Sequence, residues 1–485
     1  MLLFAPVPPI DARAAQDTAV NYSRLFPGSP MRYISTRGDT PAMSFQDAVL
    51  TGLAPDGGLL IPERIPDLSQ EVEALRGADF VSLAAAIVAH FIDDIAPADQ
   101  RRLLQDAYAS FAHSDIAPLV DVGEVSVLEL FHGPTLAFKD VALQLLGQLF
   151  DHTLSDRGGR LNVLAATSGD TGSAAIAGVQ GKSNVNIAVM FPYGRISPLQ
   201  ELQMTTVADS NVHCLAVHGS FDDCQTLMKQ TFADVDFKAE HQLGAVNSVN
   251  WARVLAQTVY YAYASLARDA GDGVDIAVPT GNFGNIFAGY IARRMGFPIA
   301  RLLLGTNEND ILAGVFKSGA YRRGDVHQTL SPSMDIQVAS NFERLVYYVE
   351  EGSTHRVKDF MATFQRDGAA TLQFDQVREQ NIEARAIDTR TTLETIADTY
   401  RQHGYVLDPH SAVGVATALQ LRGERPLVAV ATAHPAKFPD AVQRARPDVS
   451  VTHPTLEALR DLPQRVVELP ATERAIRGYI ETHVA

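Results

Sequence analysis

From residue 125 onward, short apolar runs alternate with stretches of helical spacing. The runs are Val125–Leu130, Leu161–Ala165, Val185–Met190, Val212–Val217, Val274–Val278, Ile299–Leu304 and Leu427–Ala431. Strands that stay apolar on both faces and alternate with helices predict an α/β protein with buried, largely parallel sheets. The texture upstream differs. Residues 31–115 read as a mainly helical opening domain, with amphipathic patterns over 67–112 and a turn into a short strand at Asp56–Pro62. Val81–Ile92 is apolar but too short to span a membrane, so it reads as a core helix. Residues 342–405 look helical and charged, a peripheral insertion, and 441–485 look like a helical tail. Residues 1–30 begin apolar without the basic stretch of a secretory signal; a disordered extension or a misassigned start is expected there.

Composition narrows the function. A chain of 485 residues holds two or three domains and a substantial core. Its 46% hydrophobic and 20% charged residues are ordinary for a globular protein. A net charge of −16 argues against nucleic acid or an anionic membrane surface as the main partner, though not against a small anionic substrate. The two cysteines, Cys214 and Cys224, form no CxxC pair, and no His/Cys/Asp cluster has metal spacing, so no metal is expected. A reducing, cytoplasmic setting fits.

Candidate chemistry sits in the loops after the strands, where α/β sheets bind ligands. After Val125–Leu130 comes Phe131–Asp140, in which Lys139 stands alone among apolar residues behind a Gly-Pro turn. Burial lowers a lysine's pKa, and a neutral amine can form a Schiff base with pyridoxal phosphate. The competing reading is a lysine that snorkels its head to the surface. After Leu161–Ala165 comes Thr167-Ser168-Gly169-Asp170-Thr171-Gly172-Ser173, with five hydroxyl or carboxyl groups in seven positions. Simple capping needs one such group; a helix N-terminus dressed with five suggests an anion or carboxylate cradle.

Pro279–Asn285 follows Val274–Val278. Its glycines Gly281 and Gly284, flanked by Asn282, Phe283 and Asn285, can present backbone amides to a phosphate. This is not GxGxxG, so a dinucleotide fingerprint is absent. Nor is Gly178–Ser183 a Walker A loop, because Ile176 stands where that motif needs glycine. Asn247–Arg253 joins Ser248 and Asn250 to Arg253, and Pro192–Pro198 holds Arg195; either arginine can be a phosphate fork or a solvated side chain. Thr432, at the end of Leu427–Ala431, can hydrogen-bond a ring nitrogen. His434 and His410 read as structural.

Six segments taken in order carry a specific resemblance: His132–Asp140 (HGPTLAFKD), Ala166–Ala175 (ATSGDTGSAA), Phe191–Gln200 (FPYGRISPLQ), Asn247–Arg253 (NSVNWAR), Pro279–Asn285 (PTGNFGN) and Thr432–Pro439 (TAHPAKFP). Together they strongly resemble threonine synthase, a family of pyridoxal-phosphate enzymes with the tryptophan synthase β-like fold, over roughly residues 31–440. The resemblance implies an α/β architecture of two open, largely parallel sheet domains (fold type II) behind a mainly helical N-terminal domain. The expected division is 31–115, a large cofactor-binding domain from 116–150 and 246–440, a small domain from 151–245, and the tail. It implies that Lys139 carries the Schiff base, that Gly281, Asn282, Phe283, Gly284 and Asn285 hold the cofactor phosphate, and that Thr432 faces the pyridine nitrogen. Thr167, Ser168, Gly169, Asp170 and Thr171 would bind the substrate carboxylate region. Arg195, Ser248, Asn250 and Arg253 would be the candidates for the substrate phosphate.

Two positions depart from the wider fold. Asp170 replaces an asparagine and would repel a carboxylate, so it is expected to point elsewhere or to bind the amine. Val141 replaces an asparagine two residues after the lysine. The activity implied is conversion of O-phospho-L-homoserine and water to L-threonine and phosphate, by γ-elimination and β-replacement, in a monomer or homodimer. The alternatives are a dehydratase or phospho-lyase of the same fold that releases 2-oxobutyrate, and an inactive ligand-binding homologue.

Overall fold

The computed structural model describes residues 30–484. The extension read at 1–30 therefore lies, apart from Pro30, outside the described residues. Two sheets organise the molecule. Their strands in chain order are β1 (Leu119–Val122), β2 (Val125–Glu129), β3 (Leu161–Ala166), β4 (Val185–Pro192), β5 (Val212–His218), β6 (Leu243–Gly244), β7 (Val274–Pro279), β8 (Ile299–Thr306), β9 (Ile382–Ala386), β10 (Leu427–Ala431) and β11 (Val467–Pro470). The larger sheet has the order β9-β8-β7-β10-β2-β1, parallel except for β1. The smaller has the order β11-β5-β4-β3-β6 and is parallel throughout. Every residue of β7 and β10 is buried, as parallel strands covered on both faces require.

Four helices matter for the site: α1 (Lys139–Arg157), α2 (Asp170–Val179), α3 (Trp251–Arg268) and α4 (Gly284–Arg294). Helix α1 ends at Gly158, in the left-handed conformation that closes a helix with least strain. Helix α3 starts at Asn250, whose side chain accepts from Ala252 N. Helices α1 and α2 cross almost backbone to backbone. A Cβ on Gly147 would fall 1.9 Å from Gly178 O, and one on Gly178 would fall 2.4 Å from Leu143 O. Two glycines therefore fix how closely the lysine helix approaches the helix after the hydroxyl-rich turn.

The N-terminal region contributes helices Phe45–Thr51, Phe80–Val88 and Pro97–Tyr108, and a two-stranded pairing of Tyr33–Ser35 with Leu60–Pro62. Their apolar faces share one core with α1 and α3, around fully buried Trp251. Two regions read as purely helical also contain strands. Residues 342–405 hold three helices of eight or more residues, but they supply β9, the edge of the large sheet, as well as Ala369–Thr371. The tail supplies β11 to the small sheet before its last helix, Glu473–His483, packs Ile476 and Ile480 under that sheet. Both missed strands are short, half-solvated edges, so neither shows the continuous apolar run that marks a central strand.

Candidate active site

Strand order brings the site together. β10 lies between β2 and β7, and all three run parallel. Their C-terminal ends therefore release the Lys139 loop, Thr432 and the Thr280–Asn285 loop side by side. The turn after β3 supplies Asp170 and Thr171 to the same cavity of about 90 Å³. A larger groove of about 760 Å³ runs along β9, but it receives none of these loops and the chemistry does not lie there.

The lysine loop is held by backbone bonds. Leu130 N donates to Ala431 O (3.0 Å), Phe138 N to Thr432 O (2.9 Å) and His434 N to Leu136 O (3.0 Å). Buried Asp140 closes the loop from inside, accepting from Thr135 N (2.8 Å) and Thr135 Oγ1 (2.6 Å). Lys139 is then the first residue of α1, and its Nζ lies 3.5 Å from Asp170 Oδ2. Burial lowers the Lys139 pKa, Asp170 opposes this, and the cations Lys437 and Arg253 lower it further.

The Asp170 carboxylate is partnered on both oxygens. Its Oδ1 accepts from Lys437 Nζ (2.9 Å) and Gln200 Nε2 (2.8 Å). Burial opposes its ionisation, but Lys437 and Lys139 outweigh burial and hold its carboxyl well below the usual range. Thr171 lines the cavity beside it. Thr167 stands behind the turn, where its Oγ1 accepts from Gly169 N (3.0 Å) and Gly172 N (2.9 Å); Ser168 is exposed. The turn thus divides between residues that shape it and residues that face the cavity.

The glycine loop forms the opposite wall, with Gly281, Asn282, Phe283, Gly284 and Asn285 all lining the cavity. Helix α4 starts here without a side-chain cap. Phe283 adopts φ 64°, a left-handed conformation that costs energy in a bulky residue. Its ring is fixed edge-on to Phe342 at 5.4 Å. A Cβ on Gly281 would come within 2.9 Å of Ser333 O, so the loop bearing Ser333 and Met334 closes over the site only because glycine stands there. Asn341 Nδ2 donates to Asn282 O (3.1 Å) and Ser248 O (3.2 Å), joining this loop to the Ser248 turn.

The floor holds buried polar groups without partners. Arg253 is 4% exposed, and its Nε and Nη1 make no hydrogen bond. Burial brings its pKa down to about 10. Gln257 Oε1 and Asn285 Nδ2 are also unpartnered, while Asn285 Oδ1 accepts from Tyr260 Oη (2.5 Å) and Tyr261 Oη (2.8 Å). A buried guanidinium and an amide N–H beside an uncapped helix N-terminus are complementary to phosphate.

The other site positions read from sequence fall as follows. Ser248 and Thr432 line the cavity. Arg195 is exposed and lies outside it, on the loop after β4. Asn250 is fully buried but caps α3 and donates to Val49 O (2.8 Å), so its amide is spent on structure. Neither lines the cavity. Val141 packs in the core. Gln257, Ser333, Met334, Asn341 and His410 line the cavity without having been singled out for it. Gln257 was findable, because it stands one helical turn beyond Arg253 on the same face. His410 accepts from Ser333 N (3.3 Å) and pairs with Asp408 (2.9 Å) at the start of helix Pro409–Leu421.

A lysine at the first position of the helix after a central strand, a glycine loop at a helix N-terminus and a buried unpartnered arginine in a parallel α/β frame define a pyridoxal-phosphate-dependent enzyme. Residues 116–366 match the family model for pyridoxal-phosphate-dependent enzymes. Residues 32–108 match the threonine synthase N terminus and residues 411–480 its C-terminal region. A threonine synthase of Pseudomonas aeruginosa is 44% identical over 462 residues, covering 93% of this chain and 98% of that protein. The crystal structure of pyridoxal-phosphate-bound threonine synthase from Brucella melitensis superposes with a TM-score of 0.91 at 44% identity, covering 94% of this chain and 99% of that one. The yeast threonine synthase structure gives 0.90 at 39% identity, covering 94% and 99%. The chain belongs to the threonine synthase family, and its cofactor is pyridoxal phosphate.

Proposed function

We propose that the protein converts O-phospho-L-homoserine and water to L-threonine and inorganic phosphate. The observation that carries this reading is the unpartnered guanidinium of Arg253 in the cavity that also holds Lys139. Lys139 binds the cofactor through its Nζ and, once released, moves the proton at the substrate Cα. Its lowered pKa favours the neutral amine that a base must be. When bound, pyridoxal phosphate supplies the electron sink for the negative charge that develops at Cα.

The residues that fit the cofactor phosphate are Gly281–Asn285, at the uncapped start of α4, and Thr432 stands at the strand end proposed for the ring nitrogen. Arg253 and Ser248 are assigned to the substrate phosphate, whose departure from Cγ needs donors that strengthen as charge builds on the leaving oxygen. Thr171 is assigned to the substrate carboxylate and Asp170 to its amine side. Loss of protons from Cα and Cβ, loss of phosphate from Cγ, protonation at Cγ, addition of the water hydroxyl at Cβ and return of a proton to Cα complete the balance. Ser333 and Met334 line the same cavity and narrow its access to water.

The test is a product assay on O-phospho-L-homoserine with the holoenzyme. Threonine released in step with phosphate supports the reading. 2-Oxobutyrate in step with phosphate replaces it with a phospho-lyase, and no product from this substrate removes it.

A further inference from the structure

Lys437 is a second lysine beside the site, buried where Lys139 is half-buried, and the reaction as described does not use it. It is 2% exposed, and lysine is rarely buried so completely without a partner that needs it. It lies outside the cavity lining. Its Nζ donates to Thr135 O (2.8 Å) on the lysine loop and to Asp170 Oδ1 (2.9 Å) on the turn after β3. The other oxygen of that carboxylate, Oδ2, lies 3.5 Å from Lys139 Nζ. Two lysines therefore share one carboxylate, one on each oxygen. Gln200 Nε2 adds a neutral donor to Oδ1 (2.8 Å).

We infer that Lys437 is a positioning residue, which turns Asp170 toward Lys139 and sets how tightly the Lys139 nitrogen holds its proton. The inference rests on the assignment of Lys139 to the cofactor. Two lysines competing for one carboxylate each receive less stabilisation than one lysine would alone. Lys437 also adds a like charge near Lys139. Both effects ease loss of the Lys139 proton, which a general base requires. The remaining charged and titratable neighbours are Arg253 and His410 on the cavity wall, and Asp140 behind Thr135. None of them bonds both Asp170 and the lysine loop as Lys437 does.

The arrangement makes two substitutions move one observable in opposite directions. The observable is the pH midpoint of the bound cofactor's visible absorbance, read on the holoenzyme without substrate. In Lys437→Met, Asp170 serves Lys139 alone and the midpoint rises by about 1 pH unit or more. In Asp170→Asn, the counter-charge is lost and the midpoint falls by about 1 pH unit or more. If Lys437→Met does not fold, Lys437→Gln, which keeps a donor to Thr135 O and Asp170 without the charge, raises the midpoint in its place, and Gln200→Met, which leaves both lysines in place, leaves the midpoint within a few tenths of a unit. A merely structural Lys437 would lower thermal stability and leave the midpoint where it was, which overturns the inference. Loss of the visible band in Lys139→Ala is the separate check on the underlying assignment. A band that persists there defeats that assignment, whereas a band present in the parent with an unmoved midpoint defeats only the role of Lys437.

Discussion

Asp140 and Asp170 are both buried carboxyls near the same lysine, and their surroundings push their pKa values apart. Asp170 has two ammonium partners. Among the described residues Asp140 forms no ion pair; the hydroxyl and amide of Thr135 and the more distant charge of Lys437 do not offset its burial, which raises its pKa to about 6. Between about pH 4 and 6 the folded chain therefore binds a proton at Asp140 that the unfolded chain releases, and stability falls as pH rises through that window. Asp140→Asn removes this slope. Relative to the parent, denaturation midpoints should show a gain of about 2–3 kcal/mol on going from pH 4 to pH 7. Parallel pH profiles would show that Asp140 does not titrate there. Arg253→Ala should lower kcat/KM for O-phospho-L-homoserine by about 10–100-fold, the worth of a charged hydrogen bond, with cofactor affinity nearly unchanged. Loss of cofactor instead would move Arg253 to the other phosphate. At this scale the sequence was most legible where a residue stands out from its own segment, as Lys139, Gly281 and Arg253 do. Lys437 stands out in the same way, in Thr432–Pro439. Its role stayed hidden because its partner Asp170 is far along the chain and only folding brings them together. Asn250 is ambiguous for the reverse reason: a cap and a ligand use the same amide.

Among the elements, the central strands were legible because parallel strands buried on both faces leave unbroken apolar runs. Leu427–Ala431 was read to its observed bounds, and its neighbours to within one or two residues. The edge strands Ile382–Ala386 and Val467–Pro470 left no such trace, since their exposed positions dilute the pattern. The contact of α1 with α2 was also silent, because Gly147 and Gly178 say nothing until they face each other. Gly147→Val would drive a side chain into Gly178 O. It should cost about 1–3 kcal/mol or more, seen as a lower urea midpoint, and should weaken cofactor binding because α1 carries Lys139. A variant as stable as the parent would mean that the helices separate freely.

For the whole molecule, a chain of net charge −16 places its buried unpartnered arginine at the floor of the cavity proposed to hold two anions. Local field rather than global charge decides what enters. Among the described residues no helix is long and apolar enough to cross a membrane, and no cluster could hold a metal ion. We propose that the two sheets mark two lobes, with 151–245 as the smaller, and that Lys437 ties them by bonding Thr135 on one side and Asp170 on the other. The tail belongs to this plan, since β11 completes the small sheet from the far end of the chain. The central claim is that one lysine both anchors the cofactor and moves the proton. Its most direct test compares the parent with Lys139→Ala, following visible absorbance together with threonine and phosphate release from O-phospho-L-homoserine. The parent is expected to show the band and to release threonine and phosphate in equal amounts, and Lys139→Ala to show neither band nor product. A Lys139→Ala protein that turns over at the parent rate would contradict that claim.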